Sequence, residues 1–162
     1  YNGLADKLGK LEGGGKGIFT KANLLKNKLF GSQQELDAAL ADSTRLLNAG
    51  IIEALPPGNQ SDTDIKIFSR GTPDEGSDIA YLQSYFRGAA KIQKLEAEGK
   101  KAQAKWMSLN GSLGDAQKEM NINGINVGVG NSYSDFWKNY LQKYQQKQNK
   151  ATVESRSYYN KY

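Results

Sequence analysis

The sequence predicts a mainly α-helical fold: an elongated multi-helix segment with one long central helix and a small β-hairpin near residues 120–130. Three observations carry that expectation. Helix starts recur in which a serine is followed three positions later by an acid, at Ser32 with Glu35, Ser61 with Asp64 and Ser132 with Asp135. In such a start the serine oxygen accepts bonds from orphan backbone N–H groups and the acid complements them. Glycines stand where C-terminal caps belong, at Gly50 and Gly71. Finally, apolar residues recur at three- and four-residue steps over a long stretch from about 78 to 109.

Taken in order, the marks place a short helix near 4–11, the hinge Gly13-Gly14-Gly15-Lys16-Gly17, and a helix near 20–30. A third helix over 33–49 sets Leu36, Leu40, Leu47 and the intervening alanines on one face, and Pro56-Pro57-Gly58 ends that unit. A short helix over 62–69 buries Ile65 and Phe68 and stops at Gly71. Thr72-Pro73-Asp74-Glu75 then offers a cap with proline at the first helical position, where its missing N–H costs nothing. The long helix carries Leu82, Phe86, Ala89, Ile92, Leu95, Ala102, Trp106 and Leu109 as its apolar stripe, and at 1.5 Å per residue it is about 45–50 Å long. Gly88 and Gly99 lie inside it. Each costs about 1 kcal/mol relative to alanine, so they mark close approaches of a partner helix or kinks.

After Asn110-Gly111 a short helix is expected over 113–119. The segment 120–131 changes character, with Ile122, Ile125, Val127 and Val129 set among Asn and Gly. Asn123-Gly124 is a strong two-residue turn signal and predicts a small hairpin or an ordered loop there. A last helix over 133–149 carries Phe136, Trp137, Tyr140, Leu141 and Tyr144. It gives way to a Gln/Lys/Tyr-rich tail with too little apolar surface to fold alone. The organisation expected is therefore 1–31 as short helices with a glycine hinge, 32–150 as the helical domain, and 151–162 as a basic, tyrosine-rich tail.

Composition narrows the chemistry. The 162 residues fit one domain or one helical segment, and the start at Tyr1 rather than Met is what a processed or trimmed piece would show. Cysteine and histidine are both absent. Their absence removes disulfides, thiolate or imidazole metal sites, cysteine nucleophiles and the commonest acid–base side chain. Apolar residues make up 38%, below the usual share of roughly 45–50%, so the core is thin. No run approaches the roughly 20 apolar residues of a membrane span, and the chain reads as soluble. Lys138, Lys143, Lys147, Lys150, Arg156 and Lys161 face Glu154 alone, so residues 138–162 account for the whole net charge of +5.

The motifs that invite a catalytic reading each fail on a specific residue. Gly13 to Gly17 is not a phosphate loop, because Gly17 stands where Ser or Thr must hold magnesium and Lys10 where the first loop glycine belongs. Gly124, Gly128 and Gly130 lack the third glycine of the dinucleotide fingerprint. Asp62 and Asp64 are followed by Lys66 and Phe68 where calcium ligands would continue, so capping explains them better. Asp74, Glu75 and Asp78 form an acidic cluster without polar partners nearby. No enzymatic activity, metal or cofactor is expected, and a carboxylate-based hydrolase is the remote alternative. The ligand-like feature is the basic end, where Tyr140, Tyr144, Tyr158, Tyr159 and Tyr162 alternate with cations that neutralise phosphates while rings stack on bases. The candidate contacts with a partner or with nucleic acid are Trp137, Tyr140, Lys143, Tyr144, Lys147 and Lys150. Of these aromatics, Trp137 and Tyr140, together with Phe136, fit packing against a sister subunit or another protein.

The order of marks from Leu47 onward also resembles a known family. Gly58 turns the chain, Ser61 to Asp64 starts a helix, Phe68 to Gly71 stops it before Thr72 and Pro73, a long helix follows, Asn110 to Leu113 turns, and Trp137 with Tyr140 marks an aromatic helix. This order resembles the C-terminal-type region of tailed-phage internal virion proteins, the pilot or DNA-ejection proteins. The segment 120–131 departs from that pattern, and the first 46 residues lie outside it. The resemblance implies a homo-oligomeric structural protein, packaged inside the capsid with other virion or tail proteins. It would be released into the host envelope as a conduit for the genome. The competing expectation is a helical scaffold or adaptor that binds nucleic acid, DNA included, through its basic tail.

Overall fold

The computed structural model describes residue 3 and residues 33–55, 62–73 and 77–159. The expected helices near 4–11 and 20–30, the glycine hinge, Ser32, Pro56-Pro57-Gly58, Ser61, Asp74 and Glu75 lie outside the described residues. Within them the chain is mainly helical: α1 (Gln33–Leu47), α2 (Thr63–Ser69), α3 (Ile79–Asn110), the strands β1 (Met120–Ile122) and β2 (Ile125–Val127), and α4 (Tyr133–Tyr159). The chain divides into two compact units, Tyr1–Glu53 with Gln60–Glu96 and Ala54–Asn59 with Ala97–Tyr162. The first half of α3 belongs to one unit and its second half to the other.

In the first unit α1 buries Leu36, Ser43 and Leu46, whereas Leu47, expected on the inner face, is half-buried. The inner stripe is thus rotated by one residue at the end of the helix. Ser43 is tolerated in the core because both its capacities are met: its hydroxyl donates to the Leu40 carbonyl at 2.8 Å and, with that proton committed, accepts from the Tyr85 hydroxyl at 2.6 Å. Tyr85 was not part of the expected stripe. It is fully buried, with Phe68 and Phe86 against its ring at 5.1 and 5.4 Å.

α2 starts differently from the expected Ser61 and Asp64 pair. Asp62 is the N-cap: its backbone is extended and its carboxylate accepts from the N–H of Asp64 and Ile65 at 2.9 and 3.2 Å. Asp64 instead bonds Lys91 at 2.9 Å. Ile65 and Phe68 are buried as expected, and the helix stops through Gly71, whose N–H reaches the Phe68 carbonyl at 3.3 Å. Thr72 and Pro73 are not helical, and Asp74 and Glu75 of the expected cap lie outside the described residues. α3 begins at Ile79, where the Asp78 carboxylate accepts from the Tyr81 N–H at 2.7 Å, and Thr72 bonds Thr44 at 2.9 Å. Leu82, Phe86, Ala89, Ile92 and Leu95 are all buried along α3, as its periodicity predicts. Gly88 is a close approach, and its neighbour is α2 of the same chain: a Cβ there would lie 2.6 Å from the Phe68 Cβ and closer still to the Asp64 carbonyl oxygen.

The second unit is built around Trp106 and Ala102 from α3, Ala116, the inner face of the hairpin, and Phe136 from α4. The strands pair antiparallel in the register Met120↔Val127, Asn121↔Asn126 and Ile122↔Ile125, and their alternation buries all four apolar residues. Asn123 and Gly124 both take positive φ, 53° and 77°, the conformation of the two-residue turn that suits the twist of a hairpin. Val129, expected with the strands, is exposed.

The short helix expected over 113–119 is absent. The carbonyls that would accept helical bonds are used otherwise: the Asn110 side-chain N–H₂ donates to those of Ser112, Gly114 and Asp115 at 3.1–3.3 Å, and the Trp106 indole N–H donates to Gly114 at 3.1 Å. Asn110 also accepts from the Gln117 N–H at 2.8 Å. Ala116 is tied on both sides, donating to the Asn131 carbonyl and accepting from the Gly130 N–H. α4 then opens with the expected Ser132 and Asp135 pair, in which Ser132 Oγ accepts from the Asp135 N–H at 3.1 Å and donates to its carboxylate at 2.9 Å. The helix runs on to Tyr159, past the expected end near 149.

Candidate nucleic-acid interface

At 3.6 residues per turn, α4 presents one broad aromatic face. Tyr133, Phe136, Trp137, Tyr140, Leu141 and Tyr144 fall on it and are buried or half-buried. Tyr133 and Phe136 pack on Trp106 with ring centres 5.4 and 5.7 Å away. Trp137 stacks on Tyr140 at 5.0 Å with planes 9° apart, and its ring edge covers Gly99, where a Cβ would lie 3.3 Å from it. The Tyr133 hydroxyl donates to the Gly99 carbonyl at 3.1 Å and that of Tyr140 to the Glu98 carboxylate at 3.2 Å. Burial raises the Tyr133 phenol. Tyr140 is pushed up to about 12, first by burial and then by the neighbouring charge of Glu98, its bond to Glu98, and Tyr144.

Of the six residues singled out from sequence, Trp137 and Tyr140 pack against this unit's own core, Tyr144 is half-buried, and Lys143, Lys147 and Lys150 are exposed. None of the three lysines is ion-paired among the described residues. The lysine row adjoins a groove of about 440 Å³ lined by Gly124, Ile125 and Asn126 from the hairpin and by Asn139, Gln142, Lys143 and Gln146 from α4. Sequence reasoning missed the amides. Their spacing of three and four residues was a signal, but nothing local shows that β2 packs beside that ridge.

The groove is chemically simple. Its side chains offer amide donors and acceptors and one ammonium, with no carboxylate and no nucleophile, so it can hold an anionic, hydrogen-bonding ligand without transferring a proton at neutral pH.

The other charged cluster, in the first unit, closes α2 onto α3. Lys91 Nζ lies 2.7 Å from the Asp62 carboxylate and 2.9 Å from that of Asp64. Burial alone would lower Lys91, but its bonds to both aspartates and their charges outweigh it and hold the group above the ordinary lysine range. With both carboxylates bonded to the one ammonium and Asp62 also capping α2, this cluster is structural. Among the described residues no group of three or more carboxylates converges as a metal site would, and no helix is long and apolar enough to cross a membrane.

Comparison of the chain with protein-family models, curated proteins and solved structures returns no match.

Proposed function

We propose that the chain is a non-enzymatic structural component of a phage virion, of the internal or DNA-ejection class. Copies would leave the capsid and assemble with one another and with other virion or tail proteins into a conduit across the host envelope. One observation carries the reading: the order of elements. A short helix with a glycine stop, a 32-residue helix, an Asn110-organised turn and an aromatic helix follow in the order of the marks on which the resemblance rests. The Lys91 cluster that ties α2 to α3 and the amide-lined groove fit a structural role better than a catalytic one.

Gly88 and Gly99 are occupied within the chain, so contacts between copies must use other surface. Among the described residues, exposed Met107, Leu113 and Val129 in the second unit are the large apolar side chains left for it. Sedimentation velocity and cross-linking across protein concentration test this. Assembly without DNA, weakened by Met107→Glu, is expected. A strict monomer with and without DNA overturns it. A monomer that shifts only with DNA favours the second reading, a nucleic-acid adaptor, for which the exposed lysine row is the specific support.

A further inference from the structure

We infer that the groove beside the hairpin and the lysine row that continues from it form a seat for the phosphodiester backbone of duplex nucleic acid, bound without regard to base sequence. The inference stands on this surface and not on the virion assignment, since duplex binding by a chain that never assembles would leave it intact.

Lys143, Lys147 and Lys150 rise along one side of α4 over about 10 Å, while each strand of a duplex presents a phosphate every ~3.4 Å along its axis. Three ammonium groups so placed can meet three neighbouring phosphates. Asn139, Gln142 and Gln146 stand on the same ridge, and side-chain amides are common donors to phosphate and sugar oxygens. Asn126 closes the groove from the hairpin, where its carboxamide oxygen accepts from Asn121 at 2.7 Å and its own N–H₂ stays available to a ligand.

The surroundings select this partner over others. No carboxylate lines the groove, so nothing repels a polyanion. No aromatic ring lines it either, because Trp137 and Tyr140 are turned onto α3; single strands rely on such rings to stack their bases. A membrane-binding surface would line its groove with several large apolar side chains, and this lining holds one, the buried Ile125. Protein interfaces are depleted in lysine at their centres, where this surface carries its row.

The test is fluorescence anisotropy with the full chain and a labelled short duplex of mixed sequence. Each phosphate neutralised adds about 0.9 to the slope of log affinity against log salt. Between 50 and 200 mM salt the wild-type chain should therefore lose about 40-fold more affinity than the Lys143→Gln/Lys147→Gln/Lys150→Gln variant. Comparing slopes cancels the contribution of the remaining tail cations. Gln142→Ala with Gln146→Ala should weaken binding roughly 3–10-fold with an unchanged slope, because uncharged contacts release no counterions. All these side chains are exposed on a helix, and circular dichroism verifies that each variant keeps its helix content. Four outcomes overturn the inference: no duplex binding by the wild-type chain at 50 mM salt, equal slopes for wild type and the triple lysine variant, a strong preference for single strands or for one sequence, or lysine-dependent binding to phosphatidylglycerol vesicles that exceeds binding to the duplex.

Discussion

Replacing Gly88 by alanine should destabilise the protein, although the same change on an exposed helix stabilises it. Alanine gains about 1 kcal/mol over glycine in a helix interior. At position 88 the new methyl would sit 2.6 Å from the Phe68 Cβ, against the ~3.5–4.0 Å at which carbon atoms rest. It would press harder still on the Asp64 carbonyl. That oxygen is α2 backbone, so the helix must move by about 1 Å as a body. Phe68 and Ile65 then lose packing, and the Lys91 cluster must stretch. Overpacking of this kind costs about 1–3 kcal/mol, and the rigid neighbour puts it at the upper end, leaving a net loss of about 1–2 kcal/mol. With a urea dependence of about 1–3 kcal/mol/M, the midpoint should fall by roughly half to one molar. Gly99→Ala is the control. There the neighbour is the edge of the half-buried Trp137 ring at 3.3 Å, which can yield by tenths of an ångström, so the helix gain of up to about 1 kcal/mol should largely survive. Urea unfolding followed by far-ultraviolet circular dichroism reads both. A Gly88→Ala midpoint raised as much as that of Gly99→Ala would refute the reasoning.

Other perturbations follow from the same contacts. Trp106→Ala should cost about 3–5 kcal/mol, because the ring is fully buried at the centre of the second unit and bonds Gly114; a loss below about 1 kcal/mol in the same unfolding assay would contradict that placement. Tyr85→Phe should cost about 1 kcal/mol, since the Ser43 hydroxyl keeps its bond to Leu40 and loses only an incoming donor. Asn110→Ala should cost about 1–2 kcal/mol and speed amide exchange at Gln117, whose N–H bonds its side chain. Tyr140 is held protonated up to about 12, so its contribution is complete below the ordinary tyrosine value near 10 and is lost as pH rises toward its folded value. Lys91, also raised, loses its contribution over alkaline pH in the same direction. Tyrosinate absorbance should show a late rise, to which the raised Tyr85 and Tyr133 also contribute, and Tyr140→Phe should shrink it by one phenol.

Sequence and structure agree where a local signal decides the outcome. The Asn123-Gly124 turn and the Ser132 cap each depend on a few consecutive residues and the periodicity of α3 on one continuous stretch, and each formed as read. The failures share a different cause. Ser61 and Asp62 are both good caps, and the backbone conformation at Asp62 chooses between them. Residues 113–119 have the composition of a helix, but Asn110 and Trp106 capture the carbonyls that would close it, a competition invisible in helix propensity. Gly88 and Gly99 were legible as close approaches, yet nothing in the sequence says that α2 and Trp137 of the same chain fill them. The candidate site was half legible. Its lysines were found from charge, while two of the aromatics grouped with them, Trp137 and Tyr140, are taken up by the packing of this unit, and the groove exists only because the hairpin folds beside that helix.

The measurement that bears most directly on the proposed function is quantitative mass spectrometry of purified particles of the phage proposed to encode this chain, before and after triggered genome release. The account predicts a fixed number of copies per intact particle, protected from added protease and lost once the DNA has left. Absence of the chain from intact particles, or its full retention after release, would contradict it.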